Sequence, residues 1–318
     1  NSAFENCSSL TEINIPSKVT TIGYKAFSKC KQLAEISIPF SVKSINERAF
    51  EECTGLTKLT IPSSISIIEK ETFYDCKSLV EINIPLSVTF IGENAFNGCS
   101  SLVKIQLPNL VYIKSHSFNN CISLKKITIP SSVKVIENNA FYGCTSLAHV
   151  SIPSSVEKID DSAFGNCKSL TQIELPSSLK SIQDNLFIDC SSLTNITIPS
   201  SINSIGSSSF YGCMSLTQIK IPDSVTEIGN ECFSGCSSLV KVSIPSSITK
   251  LGNDIFYGCS LLTEILIPDS VNKIPNDLCY DCSSLTKVNI PSFVISIGDS
   301  AFRKCSLLKQ VSLPECIE

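Results

Sequence analysis

Several residue types that functional sites often use are scarce in this sequence. It has no Trp, one Met and only two His, at His116 and His149, in 318 residues. Charged residues make up 17% and the formal net charge is -4, which provides no polybasic surface for nucleic acid or anionic lipid. No apolar run approaches the ~20 residues that a membrane-spanning helix needs. These absences disfavour nucleic-acid binding, direct membrane insertion and His-based catalysis.

Catalytic and cofactor motifs are missing as well. The sequence contains no Gly-rich phosphate loop and no metal-ligand helix motif. Ser is so frequent that a hydroxyl near His116 or His149 carries no information about nucleophilic catalysis. The Asp160-Asp161 pair occurs in a single repeat and is interpreted as a turn rather than an acid–base pair. We therefore predict a protein that is not an enzyme and that uses no metal or cofactor.

Cys, by contrast, is abundant and regularly spaced. Fourteen of the seventeen Cys recur every 23 residues, except for one interval of 22 between Cys99 and Cys121. Each is followed by Leu at the third position and by Pro at the ninth. The fourteen are Cys7, Cys30, Cys53, Cys76, Cys99, Cys121, Cys144, Cys167, Cys190, Cys213, Cys236, Cys259, Cys282 and Cys305. Fourteen aligned copies identify an internal repeat.

Each repeat carries the pattern of one turn of a solenoid. In residues 126–129 two Ile alternate with polar neighbours, the period-two pattern of a half-buried strand. Pro130 cannot donate to a sheet, so it ends this strand. Val133 and Ile136 are predicted to enter the core from the opposite wall, and Phe141 to supply its largest apolar side chain. The residue before Cys is Gly, Asn or Asp in 11 of 14 repeats, which predicts a left-handed backbone conformation there.

The Cys column itself has a structural interpretation. Stacked repeats would bring these Cys near the ~4.8 Å spacing of adjacent strands, within reach of a disulfide by Cα distance alone. Side chains in stacked layers point in parallel, however, and a buried free Cys behaves as a small hydrophobic residue. We favour reduced core thiols, and disulfides or metal ligation remain as alternatives. Cys279-Tyr280-Asp281-Cys282, the one Cys-x-x-Cys, is interpreted as core in the same way.

These columns resemble the BspA-like, or treponemal-type, leucine-rich repeat. The residues that carry the resemblance are Cys144-Thr145-Ser146-Leu147, Val150, Ile152-Pro153, Val156, Ile159 and Ala163-Phe164. The resemblance implies a repeat solenoid: a curved right-handed superhelix, β-rich, with a parallel concave sheet and only short helical turns on the convex side. We predict that residues 1–318 form a single leucine-rich-repeat domain of about fourteen 23-residue repeats, truncated at both ends.

The predicted binding surface is the outward face of the concave sheet. One outward column varies from repeat to repeat while the core columns stay constant, although exposed positions can also vary because nothing constrains them. The candidate binding residues of this column are Glu81, Lys104, Lys126, His149, Gln172, Asn195, Gln218 and Lys241. An alternative aromatic stripe, which could also be a cover over the Phe column, consists of Tyr74, Tyr142, Tyr211, Tyr257 and Tyr280.

Function follows mainly from the resemblance. BspA-like proteins are mostly cell-surface binders of host or matrix proteins, so we expect a non-enzymatic adhesion or recognition module at the cell surface or secreted. An intracellular, cytoplasmic scaffold for protein partners is the alternative, because free thiols suit a reducing compartment. A structural spacer or filament element would follow if the repeats associate end to end.

Overall fold

The computed structural model describes residues 1–315 and 317, which form 23 short strands and no helix. The chain divides into two compact units, Asn1–Lys158 and Ile159–Glu318. Each unit is a β-solenoid in which one repeat forms one layer and like residues stack. The predicted leucine-rich-repeat solenoid with parallel strands is therefore confirmed. The assignment of residues 1–318 to a single domain stays a prediction.

One row of strands in each unit is three residues long, and we call its outward surface the long-strand face. In the first unit these strands are β3 (Lys58–Thr60), β5 (Glu81–Asn83), β8 (Lys126–Thr128) and β10 (His149–Ser151). In the second unit they are β12 (Gln172–Glu174), β14 (Asn195–Thr197), β16 (Gln218–Lys220), β18 (Lys241–Ser243), β20 (Glu264–Leu266) and β22 (Lys287–Asn289). These are the strands that the alternation before Pro predicts.

A second row of two-residue strands follows the Pro turn, and we call its outward surface the short-strand face. In the first unit the row consists of β1 (Thr21–Ile22), β2 (Ser44–Ile45), β4 (Ile67–Ile68), β6 (Phe90–Ile91), β7 (Tyr112–Ile113) and β9 (Val135–Ile136). β11 (Lys158–Ile159) lies at the boundary of the units. In the second unit the row consists of β13 (Ser181–Ile182), β15 (Ser204–Ile205), β17 (Glu227–Ile228), β19 (Lys250–Leu251), β21 (Lys273–Ile274) and β23 (Ser296–Ile297).

Strand pairing follows the repeat length. Lys126 of β8 pairs with His149 of β10 in parallel, and Gln172 of β12 pairs in the same way with Asn195 of β14. In the 22-residue repeat, Lys104 still forms a parallel bridge to Lys126. Register in the long-strand row is therefore kept across the shortened repeat, because the missing residue lies between the two strand rows. In the short-strand row of the described residues, β6 and β7 on either side of the missing residue are not hydrogen-bonded neighbours.

The turn after Pro shows how the shortened repeat absorbs its missing residue. In a full-length repeat, the amide of Val133 donates to the carbonyl oxygen of Pro130, three residues earlier, at 3.0 Å. In the short repeat, the amide of Leu110 donates to the carbonyl oxygen of Pro108, only two residues earlier, at 2.8 Å. A three-residue turn thus replaces a four-residue turn. Leu110 is fully buried like Val133, so the core column continues.

The segment from the second strand row to Cys consists of hydrogen-bonded turns, where the resemblance implies short helical turns. The left-handed position before Cys is confirmed in every repeat, including those with Lys29, Glu52 and Lys304. A second left-handed position, which the sequence does not predict, lies five residues before each Cys. Its occupants are Ser2, Lys25, Arg48, Glu71, Asn94, His116, Asn139, Ser162, Asn185, Ser208, Glu231, Asp254, Asp277 and Ser300.

The core of almost every layer is built around one Phe, and Cys279 takes this position in one layer. In the first unit, Phe27, Phe50 and Phe73 stack on one another with ring centroids 5.5 to 5.6 Å apart and nearly parallel planes. In the second unit, Phe187 and Phe233 lie on either side of Phe210, at 5.5 and 5.4 Å. Burying a side chain of this size stabilises the fold by roughly 1.5–3 kcal/mol before packing is counted. The predicted central role of the Phe column is confirmed.

Candidate functional site

The long-strand face is positioned by the alternation within each strand. In β8, Ile127 is 2% exposed and points into the core, while Lys126 and Thr128 on either side are exposed. Pro ends each of these strands because it has no amide hydrogen to donate. The result is two parallel columns of exposed side chains, held at the spacing of neighbouring strands.

In the first unit the structure brings four predicted residues together on this face. Glu81, Lys104, Lys126 and His149 stand on successive layers, each in parallel register with the next. The Nζ atom of Lys104 lies 3.6 Å from Oε1 of Glu81, in an exposed ion pair that contributes at most about 1 kcal/mol. Lys126 and His149 follow on the next two layers, so the ammonium groups of Lys104 and Lys126 stand on adjacent layers.

Shallow hollows open over this row in the first unit. One of about 420 Å³ is lined by Lys58, Glu81 and Lys104 from one column and by Thr60 and Asn83 from the other. A second, of about 650 Å³, is lined by residues of the preceding layers, including Glu12, Glu35 and Phe40. Both are lined mainly by outward side chains, so they offer contact surface rather than an enclosed pocket.

In the second unit the remaining four predicted residues form two pairs. Gln172 pairs with Asn195, and Gln218 pairs with Lys241. Among the described residues, β14 and β16 are not hydrogen-bonded neighbours, although they lie on consecutive layers. A hollow of about 650 Å³ covers this break and is lined by residues of both pairs.

The chemistry of that hollow is polar with an excess of positive charge. Its lining includes the amides of Asn195 and Gln218, the hydroxyl of Thr197, and the ammonium groups of Lys220 and Lys241. Neither Lys220 nor Lys241 has an ion-pair partner within the described part of the chain, and both are exposed. Such groups can bind an acidic or amide-rich partner surface, since their hydrogen-bond donors have no partner among the described residues.

The Tyr row does not form one continuous stripe. In the first unit, Tyr74 and Tyr142 are half-buried, and two repeats with Asn97 and Asn119 at the same position separate them in sequence. In the second unit, Tyr257 and Tyr280 stack with ring centroids 4.8 Å apart.

Two cationic side chains, Arg303 and Lys304, approach the Tyr row at Tyr280. Tyr211 is 37% exposed but precedes Tyr257 by two repeats, with Ser234 in the repeat between them. Lys304 places its Nζ atom 4.9 Å from the centroid of the Tyr280 ring, as in a cation–π contact.

The two His lie in different environments of the first unit. His149 is exposed on the long-strand face, whereas His116 occupies the second left-handed position with a φ of 56°. Within the described residues, no group of three His, Cys, Asp or Glu side chains is placed to hold a metal ion.

The Cys column lies inside the core and joins the layers. The Sγ atom of Cys53 donates to the carbonyl oxygen of Phe27 in the preceding layer at 3.0 Å, and Cys213 does the same to Phe187 at 3.3 Å. All sixteen described Cys are free, and fourteen of them are buried. Burial raises the pKa of the Cys144 and Cys190 thiols to about 12. These thiols are structural donors and poor nucleophiles.

One exposed surface was not predicted from the sequence. The outward position of the short strands carries large apolar side chains in four consecutive layers of the first unit. They are Ile67, Phe90, Tyr112 and Val135. The sequence does contain the signal, because the same position holds Thr, Ser, Lys or Glu in the other repeats with a short strand. We call these four residues the apolar stripe.

Comparison with known families places these features in context. The profile of the BspA type leucine-rich repeat region, which contains six copies of the repeat, matches residues 1–121, 111–240 and 203–318. The chain belongs to the BspA-type leucine-rich repeat family. The resemblance of the repeat columns is therefore confirmed over the whole sequence. Proteins of this family and fold are typically non-enzymatic and present a protein-interaction type of surface.

Solved structures of BspA-type and other leucine-rich repeat proteins resemble this one. A leucine-rich repeat protein from Bacteroides ovatus is 31% identical, with 96% of this chain and 87% of that chain covered and a TM-score of 0.65. A leucine rich cell surface protein from Faecalibacterium prausnitzii is 29% identical, with 95% and 87% covered and a TM-score of 0.62. A comparison with the curated proteins found no match.

A more distant structure agrees in fold alone. A leucine-rich repeat protein from Eubacterium ventriosum is 22% identical, with 97% of this chain and 80% of that chain covered and a TM-score of 0.58. As for the membrane, the described residues include no helix with the length and apolar character to cross one.

Proposed function

We propose that this chain is a non-enzymatic protein-binding module of a cell-surface or secreted protein, which holds its partner on the long-strand face. The observation that carries the proposal is the contrast between columns. Core positions repeat the same residue types, while the outward column changes from Glu81 to Lys104 to His149. The fold needs no particular side chain there, so these positions are free to be selected for a partner.

The electrostatics of the face support a protein partner. Lys126, Lys220 and Lys241 are exposed, and none has an ion-pair partner within the described part of the chain. The face lacks the Trp and Arg anchors that dominate tight interfaces. Affinity would therefore come from area and from electrostatic complementarity to an acidic partner surface.

The cell-surface location is supported by relationship alone. The Faecalibacterium prausnitzii protein is described as a leucine rich cell surface protein, and it covers 95% of this chain. An intracellular scaffold is the second candidate, since the described Cys are free thiols. Burial protects these thiols from oxidants, however, so they would also persist outside the cell. Labelling intact cells with a membrane-impermeant biotin reagent separates the candidates: an expressed protein that stays unlabelled contradicts a surface location.

Binding is tested with charge reversals on the long-strand face of each unit. The chain would be tested against immobilised extracellular-matrix proteins by biolayer interferometry, with Lys104→Glu plus Lys126→Glu as one variant and Lys220→Glu plus Lys241→Glu as another. Losing two complementary charges should weaken binding by about tenfold.

The control variant carries the same change in charge elsewhere. Lys180→Glu plus Lys273→Glu alters two exposed Lys beside and on the short-strand face of the second unit. This variant should bind like the parent. Equal weakening in all three variants would mean a nonspecific charge effect, and no change in either long-strand variant would remove this face from consideration.

A further inference from the structure

The apolar stripe occupies a position that the fold fills with polar residues elsewhere. In the other layers the outward residue of the short strand is hydrophilic: Thr21, Ser44, Lys158, Ser181, Ser204, Glu227, Lys250, Lys273 and Ser296. Core packing therefore does not require an apolar side chain at this position. Four apolar residues in four consecutive layers need another explanation.

The side chains of the stripe are accessible. Ile67, Phe90 and Tyr112 are 42%, 39% and 48% exposed, and Val111 beside Tyr112 is 45% exposed. Ile67 pairs with Phe90, and Tyr112 pairs with Val135, on four consecutive layers. Between the two pairs, β6 and β7 are not hydrogen-bonded neighbours in the described part of the chain. Contiguous exposed apolar patches larger than a few hundred Å² are rare on monomeric soluble proteins, and they mark interaction surfaces where they occur.

Charges on both sides of the stripe are already paired within the chain. Just before Val135, the Nζ atom of Lys134 lies 2.7 Å from Oε1 of Glu157. On the other side, the Nζ atom of Lys114 lies 2.6 Å from Oε1 of Glu137. A partner would therefore contact an apolar centre flanked by charges that are already neutralised. Such a surface fits another apolar surface better than a strongly charged one.

We propose that the apolar stripe is the centre of a two-fold interface with a second copy of this chain. A two-fold axis parallel to the stacking direction sets each layer against the same layer of the copy. Phe90 then meets its own equivalent, as does Tyr112, which is the self-complementary arrangement of an isologous dimer. The same rotation sets Lys134 opposite Glu137 of the copy, and each of these charges keeps its partner within its own chain, Glu157 or Lys114.

The small size of the stripe indicates a weak dimer. A stable interface buries about 800 Å² on each partner, and the stripe supplies only the central part of that area. We therefore expect the dimer to be weak and reversible. It uses the short-strand face, so it does not depend on a partner bound to the long-strand face.

Sedimentation velocity on the whole chain tests the proposal, over concentrations from low micromolar to submillimolar. The parent chain should show a reversible monomer–dimer equilibrium. The variant Phe90→Ser plus Tyr112→Ser should raise the dimer dissociation constant by at least about tenfold, because aromatic side chains at the centre carry most of an interface's binding energy. Ser occupies this position in β13 and β15, so the variant should fold, which circular dichroism verifies.

A matched control removes equally exposed apolar surface outside the stripe. Phe40 and Leu86 are 64% and 78% exposed and follow Pro, where most other repeats have Ser. Phe40→Ser plus Leu86→Ser should leave the dissociation constant unchanged. Lys134→Glu should raise it, because the new carboxylate would face Glu137 of the copy. A chain that stays monomeric at all concentrations overturns the proposal, as does a dimer that the Phe90 and Tyr112 substitutions do not weaken.

Discussion

At the scale of single residues, two backbone positions in every repeat hold a left-handed conformation. The position before Cys could be predicted because Gly, Asn and Asp dominate it. The second position could not, because its occupants include Lys25, Arg48 and Glu71, whose side chains do not favour positive φ. Hydrogen bonds between layers fix the backbone there: the amide of Arg48 donates to the carbonyl oxygen of Lys70 in the next layer. Such a tertiary cause leaves no local signature in one repeat.

The cost of a side chain at the first position can be measured at Gly258. Its φ is +69°, and a Cβ built there meets no atom within 4 Å, so only backbone strain opposes a substitution. Gly258→Ala should lower the free energy of unfolding by roughly 1–2 kcal/mol in urea denaturation. Gly258→Asn should cost less, because Asn tolerates this conformation. Equal losses in the two variants would show that strain is not the cause.

Because its thiols are buried, we expect the protein to lose stability at alkaline pH. The pKa of Cys144 and Cys190 rises from an ordinary 9.0 to about 12 in the folded protein because of burial. These thiols contribute fully to the stability of the fold below pH 9. The contribution is lost as the pH rises toward 12, because in this range the thiols ionise in the unfolded chain but not in the folded one. Each thiol should lower the free energy of unfolding by up to about 1.4 kcal/mol per pH unit there.

Urea denaturation at increasing pH measures this slope. Lys and Tyr also titrate in the alkaline range, so the parent chain alone does not isolate the thiols. Cys190→Ala provides the comparison, since it removes one buried thiol and should give a shallower dependence on pH. Parallel slopes for the two proteins would contradict the assignment.

At the scale of structural elements, the alternation of apolar and polar residues was sufficient to predict the three-residue strands. It was not sufficient to predict the two-residue strands. The sequence places Val133 and Ile136 in the core, and both are fully buried. It does not reveal that Ile136 belongs to a second strand row, because two residues are too few to show a period. The apolar stripe was detectable by comparing repeats column by column, yet its exposure became evident only when the strand row was located.

The Phe column gives the clearest prediction for an element. Phe210 is fully buried between Phe187 and Phe233, so Phe210→Ala leaves a cavity flanked by two rings. We expect a loss of about 3–5 kcal/mol in the free energy of unfolding. Phe293, which is 68% exposed in the same unit, serves as the control. Phe293→Ser should change stability by no more than about 0.5 kcal/mol, and a similar loss in both variants would exclude the cavity as the cause.

At the scale of the whole molecule, stability should be a sum over neighbouring layers. Deleting residues 214–236 joins Cys213 to Ser237 and keeps Leu239 three residues after Cys, so every remaining column stays in register. The shortened chain should still unfold cooperatively, with a lower free energy of unfolding. Deleting 214–233 instead removes a stretch that is not a whole repeat and should abolish cooperative unfolding. Circular dichroism in urea distinguishes these outcomes, and two deletions with the same effect would contradict a layered structure.

Family and fold could be predicted from the sequence because the repeat columns record the core directly. The binding surface could only be proposed. The fold does not determine which side chain stands at exposed positions such as Lys104 and Gln218, so the variation there has the same appearance whether a partner selected it or it arose by drift. Interactions between layers, such as the thiol of Cys53 with the carbonyl oxygen of Phe27, join residues 26 apart and are not visible in either repeat alone.

The three-residue turn at Pro108–Leu110 has a consequence for engineering and for evolution. It shows that the chain can change length after Pro while Lys104 before the turn keeps its bridges to both neighbouring layers and β7 after the turn still pairs with β9. The cost of lengthening a flexible connection grows only slowly, at about 0.6 kcal/mol for each doubling. Foreign peptides could therefore be grafted between Pro and the following core residue in several repeats at once, and the solenoid would display them in a row at regular intervals.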